Sequence, residues 1–262
     1  MLRTTFVSWG AAAAAGLVLP KWAIKEVGMM GSHAWRMHFT ETVLDGVVTR
    51  SAWHDLPLYP SVDKSIITFV CEIPQKTRAK LELLKEEPHN PIAQDVLKKE
   101  GRPLRFFSYG DIPFNYGFTP RTWENPTLQD EQTRCVGDGD PIDVVELSPV
   151  PLAVGSIRAV RILGLLGLID QGETDWKVIT EAVGAGEAVT YGHLSNVPQE
   201  LKSTIVRWFR EYKTTDGKKP NEFAFGGGLR GAEDALHVIE MGSSQYADLL
   251  SGVVHNPGYW LP

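Results

Sequence analysis

Three aspartates fall within six residues in Gly137-Asp138-Gly139-Asp140-Pro141-Ile142-Asp143, and no other stretch restricts the fold of this chain so strongly. Unit charges about 4 Å apart interact by ~4 kcal/mol at an effective dielectric near 20, so the trio either spreads into water or gathers around a cation. Pro141 disfavours a helix through Asp140, which makes the segment a turn followed by a strand. In an extended chain Asp138 and Asp140 share a side, and Asp143 alternates with Val144 as the strand runs on to Leu147. Magnesium suits such a set, because it takes hard oxygen ligands and keeps waters in the rest of its shell. A calcium loop of the EF-hand type does not fit: its fifth position needs an oxygen ligand and its sixth a glycine, and these are Ile142 and Asp143. A solvated acidic turn is the competing reading for any one of the aspartates taken alone.

A second acidic cluster lies at Asp170-Gln171-Gly172-Glu173-Thr174-Asp175-Trp176-Lys177. With Gly172 in the turn and an extended chain beyond it, Asp175 and Lys177 point one way while Trp176 and Val178 point the other. A cation ligand and a phosphate-binding ammonium are then neighbours. Lys80-Leu81-Glu82-Leu83 shows the same alternation. Each strand read singly is also an ordinary amphipathic strand with its charges in water. Arg105, Tyr116, Tyr212 and Lys213 add a guanidinium fork, an ammonium and two hydroxyls of the kind that bind phosphate oxygens.

The surrounding chain reads as short strands followed by helices. Apolar runs at 37–43, 65–73, 79–86, 142–147, 156–163 and 176–183 are separated by turn chemistry such as Asp45-Gly46 and Gly101-Arg102-Pro103. Two helical patterns follow, one placing Leu201, Ile205, Trp208, Phe209 and Tyr212 on a single face behind Pro198, the other Leu236, Ile239, Tyr246 and Leu250. Strands first and helices last indicate an α+β, β-rich fold, a small barrel or sheet flanked by helices. With 262 residues, 43% of them hydrophobic, the chain closes a core without staples, and its two cysteines suit neither a disulfide framework nor zinc. The net charge of −6 disfavours nucleic acid and anionic membrane surfaces as partners.

No apolar run is long enough for a membrane-spanning helix. Residues 1–30 are expected to form a targeting leader or N-terminal extension, and residues 31–262 a single domain. The first 25 residues carry no acid, are rich in alanine and include Arg3, Lys21 and Lys25, a composition resembling a mitochondrial import peptide. The apolar run at 10–19 also suits a secretory segment, and a cytoplasmic protein with an ordinary N-terminal helix is the further alternative. No P-loop, no G-x-S-x-G elbow and no H-x-x-x-H pair is present, so the chemistry rests on carboxylates.

Taken together, these residues resemble the soluble family I inorganic pyrophosphatases, and more closely their eukaryotic branch. The resemblance is carried by Asp138-Gly139-Asp140-Pro141-Ile142-Asp143, Trp53-His54-Asp55-Leu56-Pro57-Leu58-Tyr59, Glu72-Ile73-Pro74, Ala79-Lys80-Leu81-Glu82, Asn115-Tyr116-Gly117, Asp170 with Gly172 to Lys177, Trp208-Phe209-Arg210 with Tyr212-Lys213, and Phe223-Ala224-Phe225, in family order over roughly residues 35–250. It implies a five-stranded OB-like β-barrel with flanking α-helices, a homodimer, and magnesium-dependent hydrolysis of diphosphate to two orthophosphates by in-line attack of metal-activated water. Asp138, Asp143 and Asp175 are implied to hold the tightest Mg2+, while Asp170 and Glu82 help hold the ions that arrive with substrate. Asp140 is implied as general base. Lys80, Arg105, Tyr116, Lys177, Tyr212 and Lys213 are implied to grip the phosphoryl groups, Lys80, Arg105 and Tyr116 also serving catalysis, with Glu72 and Glu173 supporting the ligands from behind.

One departure stands out. The family commonly has a tyrosine four residues before the position of Tyr116, and here that residue is Ile112. The loss of a hydroxyl there motivates a second reading, a phosphate-binding or scaffold protein on the same fold with weak or no turnover. An oligonucleotide-binding barrel is a third, disfavoured by the acidic charge.

Overall fold

A computed structural model describes residues 4–5, 16–184 and 189–262. It is a mixed α+β fold rich in strand. Five strands carry the centre: β4 (Ile66–Ile73), β7 (Asn115–Phe118), β8 (Asp143–Glu146), β9 (Ile157–Asp170) and β10 (Glu173–Ala182). β9 pairs antiparallel with β4, β4 with β7, and β7 with β8; β8 then runs parallel to β10, which pairs antiparallel with β9. The path of pairing thus returns to the strand on which it began.

A second sheet packs beside these strands. In it β2 (Arg36–Val43) pairs with β1 (Ala23–Val27), with the hairpin strand β3 (Gly46–Arg50) and with β6 (Ile92–Gln94), which in turn pairs with β5 (Leu81–Leu83). The run expected as a strand over 79–86 is therefore extended in a ladder only at its middle. The boundary expected between residues 30 and 31 falls in the connection between β1 and β2, so the sheet reaches back into the segment read as a leader. Leu17 is buried with Ile66 and Ala159, and Val18 N–H donates to Pro60 O at 2.7 Å. The acid-free composition that marks an import peptide stops at Lys25, inside β1, and Ala23-Ile24-Lys25-Glu26-Val27 has no period-two alternation to mark it as a strand.

Sequence explains each central element. β4 is buried at all eight positions, as an apolar run covered on both faces has to be. The β9–β10 hairpin turns on Gln171 (φ +55°) and Gly172 (φ +92°), both left-handed, the pattern of a tight two-residue turn that matches strand twist. Gly117 lets β7 lie against β4, since a Cβ there would stand 1.9 Å from Val70 O.

Helix α1 (Gln199–Glu211) begins behind Pro198 and buries Ile205, Trp208 and Phe209, as its periodicity predicts. Helix α2 (Ala232–Ser251) crosses β9 and buries Ala235, Val238, Ile239, Gly242, Tyr246 and Leu249. Leu250, expected on that face, is exposed. Residue 249 keeps the i, i+3 spacing from Tyr246 that the 3.6-residue turn sets. Among the described residues no helix is long and apolar enough to cross a membrane.

His54 ties α2 to the end of the chain. Its Nε2 donates to Trp260 O at 3.1 Å, which leaves Nδ1 to accept from the Tyr246 hydroxyl at 2.6 Å. Burial pushes its pKa down to about 4 from the usual 6.5, against the Trp260 carbonyl and Asp55, which favour the charged form. Between those two values the unfolded chain takes up a proton that the folded ring refuses. Folding then loses up to about 1.4 kcal/mol per pH unit through this group as pH falls from 6.5. Denaturant unfolding at pH 7.5, 6 and 5 should therefore show the stability advantage of the wild type over His54→Gln shrinking as pH falls.

Candidate active site

The aspartate loop is shaped by one glycine and one neighbouring strand-like segment. Gly139 sits at φ +82°, where a side chain would be strained, and turns the chain so that Asp140 N–H donates to Asp138 Oδ1 at 2.9 Å. The loop's backbone pairs with Glu124: Glu124 N–H donates to Asp140 O and Gly139 N–H to Glu124 O, both at 2.9 Å. That pairing brings the Glu124 carboxylate to Asp138. Candidate ligand oxygens of Glu124, Asp138 and Asp175 all lie within 4.8 Å of one another.

Strand register supplies the next layer. In the parallel pair β8–β10, Asp143 is level with Lys177, and Asp175 stands two residues back on the same side. Lys177, only 1% exposed, pairs with the carboxylates of both Asp143 and Asp175 and donates to the Tyr116 hydroxyl at 2.9 Å. Tyr116 in turn donates to Asp143. The side shared by Asp175 and Lys177, read from alternation alone, is the arrangement found.

The other expected residues converge on the same cleft, a cavity of about 300 Å³ lined by Lys80, Glu82, Arg105, Tyr116, Asp138, Asp140, Asp143, Asp170, Glu173, Asp175, Tyr212 and Lys213. Lys80 pairs with Glu82 at 2.9 Å and Arg105 with Asp95 at 2.8 Å. Asp170, at the end of β9, meets Lys213 and accepts from the Tyr212 hydroxyl at 3.1 Å. Lys85 meets Asp140. Lys177 lies beneath the cleft floor, and Glu72 lies behind it, accepting from Leu83 N–H at 2.7 Å and so joining the two sheets. Glu173 is exposed at the rim, next to the hairpin turn. Ile112 is buried in the lining, so an apolar surface stands where the family pattern has a hydroxyl.

Three residues went unnoticed in the sequence. Glu124, Lys85 and Asp95 have no diagnostic spacing, and only the pairing of distant loops brings Glu124 to the aspartates.

Electrostatics marks out the part of the site that could hold a cation. Lys80, Lys85, Arg105, Lys177 and Lys213 each already face a carboxylate. Asp138 and Glu124 have no such partner among the described residues. Burial, then the charges of Asp140, Asp175 and Asp143, pushes Asp138 well above the usual carboxylate range, and burial with Asp138 and Asp175 does the same to Glu124. Burial with Asp143 and Asp170 raises Asp175 to about 7, although Lys177 opposes it. The buried Glu124 Oε2 has no hydrogen-bond partner. An all-oxygen donor set with uncompensated negative charge and an orphaned oxygen fits a hard divalent ion such as Mg2+.

A profile of the family described as inorganic pyrophosphatase matches residues 69–247. The chain belongs to the inorganic pyrophosphatase family. It is 40% identical over 213 residues to the inorganic pyrophosphatase of Homo sapiens, covering 79% of this chain and 73% of that protein. It is 37% identical over 239 residues to the soluble inorganic pyrophosphatase 1, chloroplastic, of Chlamydomonas reinhardtii, covering 90% and 81%. Among solved structures, the N-terminally truncated vacuolar soluble pyrophosphatase of Trypanosoma cruzi in complex with PPi superposes with a TM-score of 0.81 at 34% identity, over 94% of this chain and 96% of that one. The family relationship thus extends from the aspartate loop to the whole fold.

A ligand that binds only the folded state stabilises it by mass action, about 2.7 kcal/mol at a hundredfold excess over its dissociation constant. For a chain of this size that corresponds to a rise in melting temperature of roughly 5–10 °C. Differential scanning calorimetry with and without Mg2+ should show such a rise for the wild type and little of it for Asp138→Asn.

Proposed function

We propose that this chain hydrolyses inorganic diphosphate to two orthophosphates with the help of several Mg2+ ions. The observation that carries the reading is a cleft in which Asp138, without a cationic partner among the described residues, stands with Asp143 and Asp175 opposite cations and hydroxyls suited to phosphate, a Glu124 oxygen lying within 4.8 Å of candidate ligand oxygens of Asp138 and Asp175. Asp138, Asp143 and Asp175 would hold the tightest ion, and Asp170 and Glu82 those that come with substrate. When bound, the ions supply neutralisation of the anionic substrate and acidify water.

The chain's own residues do the rest. Lys80, Arg105, Lys177 and Lys213 offer positive charge to the two phosphoryl groups, and Tyr116 and Tyr212 offer directional hydroxyl donors. Asp140 accepts the proton of the attacking water. Burial raises its pKa and Lys85 opposes that rise, which leaves a carboxylate able both to take and to release a proton. Glu72 fixes β5 and hence the direction of Lys80 and Glu82, while Glu173 supports the ligands from the rim. The returning path of strand pairing supports an OB-like five-stranded barrel beneath the site. A homodimer is part of the same reading, carried by the resemblance to the eukaryotic branch, and a mitochondrial address is carried by the N-terminal composition.

Buried Ile112 favours the second reading, binding without turnover. Phosphate release from diphosphate, with tripolyphosphate and ATP as competitors and Mg2+ varied against chelator, separates the two. Hydrolysis of diphosphate that chelator abolishes is expected, with Asp140→Asn lowering kcat by roughly 10²-fold or more while circular dichroism stays that of the folded protein. Tight binding without release selects the second reading, and undiminished activity in Asp140→Asn removes the base from this scheme.

A further inference from the structure

The end of the chain lies against the aspartate loop. After α2 stops at Gly252, the tail is bent by Asn256, whose Oδ1 accepts from the backbone N–H groups of Gly258 (3.0 Å) and Tyr259 (2.7 Å) and whose Nδ2 donates to Tyr259 O (2.9 Å). The turn brings the Tyr259 hydroxyl to Gly139 O, to which it donates at 3.0 Å. The Tyr259 ring lies 5.0 Å from Lys85 Nζ. Trp260 N–H donates to Lys85 O at 2.8 Å, and Trp260 O accepts from His54. Tail, Lys85 and loop are thus one connected group.

Gly139 O is the point at which they meet. It accepts from Lys85 Nζ at 2.7 Å, from Tyr259 at 3.0 Å and from Trp123 Nε1 at 3.2 Å, while Lys85 also pairs with the Asp140 carboxylate. Three donors on one carbonyl fix the peptide plane between Gly139 and Asp140. That plane, in a glycine turn with φ +82°, sets where the carboxylates of Asp138 and Asp140 point. Space is closed as well as bonding: a Cβ on Gly139 would stand 2.8 Å from the Tyr259 hydroxyl.

We propose that Tyr259, delivered by the C-terminal tail, and Lys85 are positioning residues that hold the Asp138–Asp140 loop in its cation-binding shape. The tail supplies no ligand, yet the ion site is complete only with it in place. This rests on the proposed diphosphate hydrolysis for its consequence in turnover, but not for its consequence in ion binding.

The test uses the full chain and reads Mn2+ binding without substrate, by electron paramagnetic resonance or calorimetry, beside kcat, KM and melting temperature. Tyr259→Phe removes one hydroxyl and keeps the ring. It should weaken Mn2+ binding roughly 2- to 10-fold, the range set by one hydrogen bond. It should also lower kcat with KM for diphosphate within about twofold of wild type. Lys85→Met should do the same, with substantial recovery in Lys85→Arg. Ile66→Ala, in a separate small cluster with Leu17 and Ala159, should lower the melting temperature and leave Mn2+ affinity unchanged. Wild-type Mn2+ affinity in Tyr259→Phe overturns the proposal, as does an equal loss in Ile66→Ala. If the wild type binds Mn2+ and releases no phosphate from diphosphate, the enzymatic reading fails, and the Mn2+ affinities still decide the role of the tail.

Discussion

The site is organised around one ammonium group that cannot leave the protein interior. Lys177 is held between Asp143 and Asp175 with the Tyr116 hydroxyl as a further partner. An isolated buried charge is costly, and an ion pair taken out of water is tolerated only where geometry and extra hydrogen bonds compensate its desolvation. Burial alone would lower the Lys177 pKa, but Asp143 and Asp175 reverse the effect and raise it well above the usual lysine value. The parallel register of β8 and β10 places Asp143 level with Lys177. The same contact therefore aligns two strands and orders two carboxylates, without neutralising Asp138 and Glu124 beside them.

An acidic chain that collects anions looks contradictory until its charges are paired in space. Lys80, Arg105 and Lys213 in the cleft each face a carboxylate of their own, so much of the cleft's positive charge is paired. Uncompensated negative charge is concentrated at one end. On the proposed function, a divalent ion bound there would reverse the local sign, and the cations opposite would act with it on the same anion.

Much of this was legible in the sequence because it depends on alternation. Period-two patterning put Asp175 with Lys177 and Lys80 with Glu82, and the 3.6-residue period found the buried face of α1. Three features escaped for separate reasons. Glu124 reaches the ion cluster through backbone pairing between loops, which leaves no mark in local spacing. Strand β1 has the sequence Ala23-Ile24-Lys25-Glu26-Val27, whose lack of period-two alternation leaves no local mark of its pairing. Leu249 rather than Leu250 packs in the core because the helical turn is not a whole number of residues.

The returning path of pairings among the five central strands also has a kinetic meaning. β4 and β9 are paired although about 90 residues separate them in the chain, and the β8–β10 pair is parallel and cannot form as a hairpin. Contacts between remote segments are slow to form, because chain entropy is lost before the contacts repay it. Asp143 and Asp175 stand on β8 and β10 themselves, so a nascent or half-folded chain holds the individual acids without the arrangement that makes them useful. The carboxylate arrangement proposed to hold cations is therefore completed only once β8 and β10 have paired.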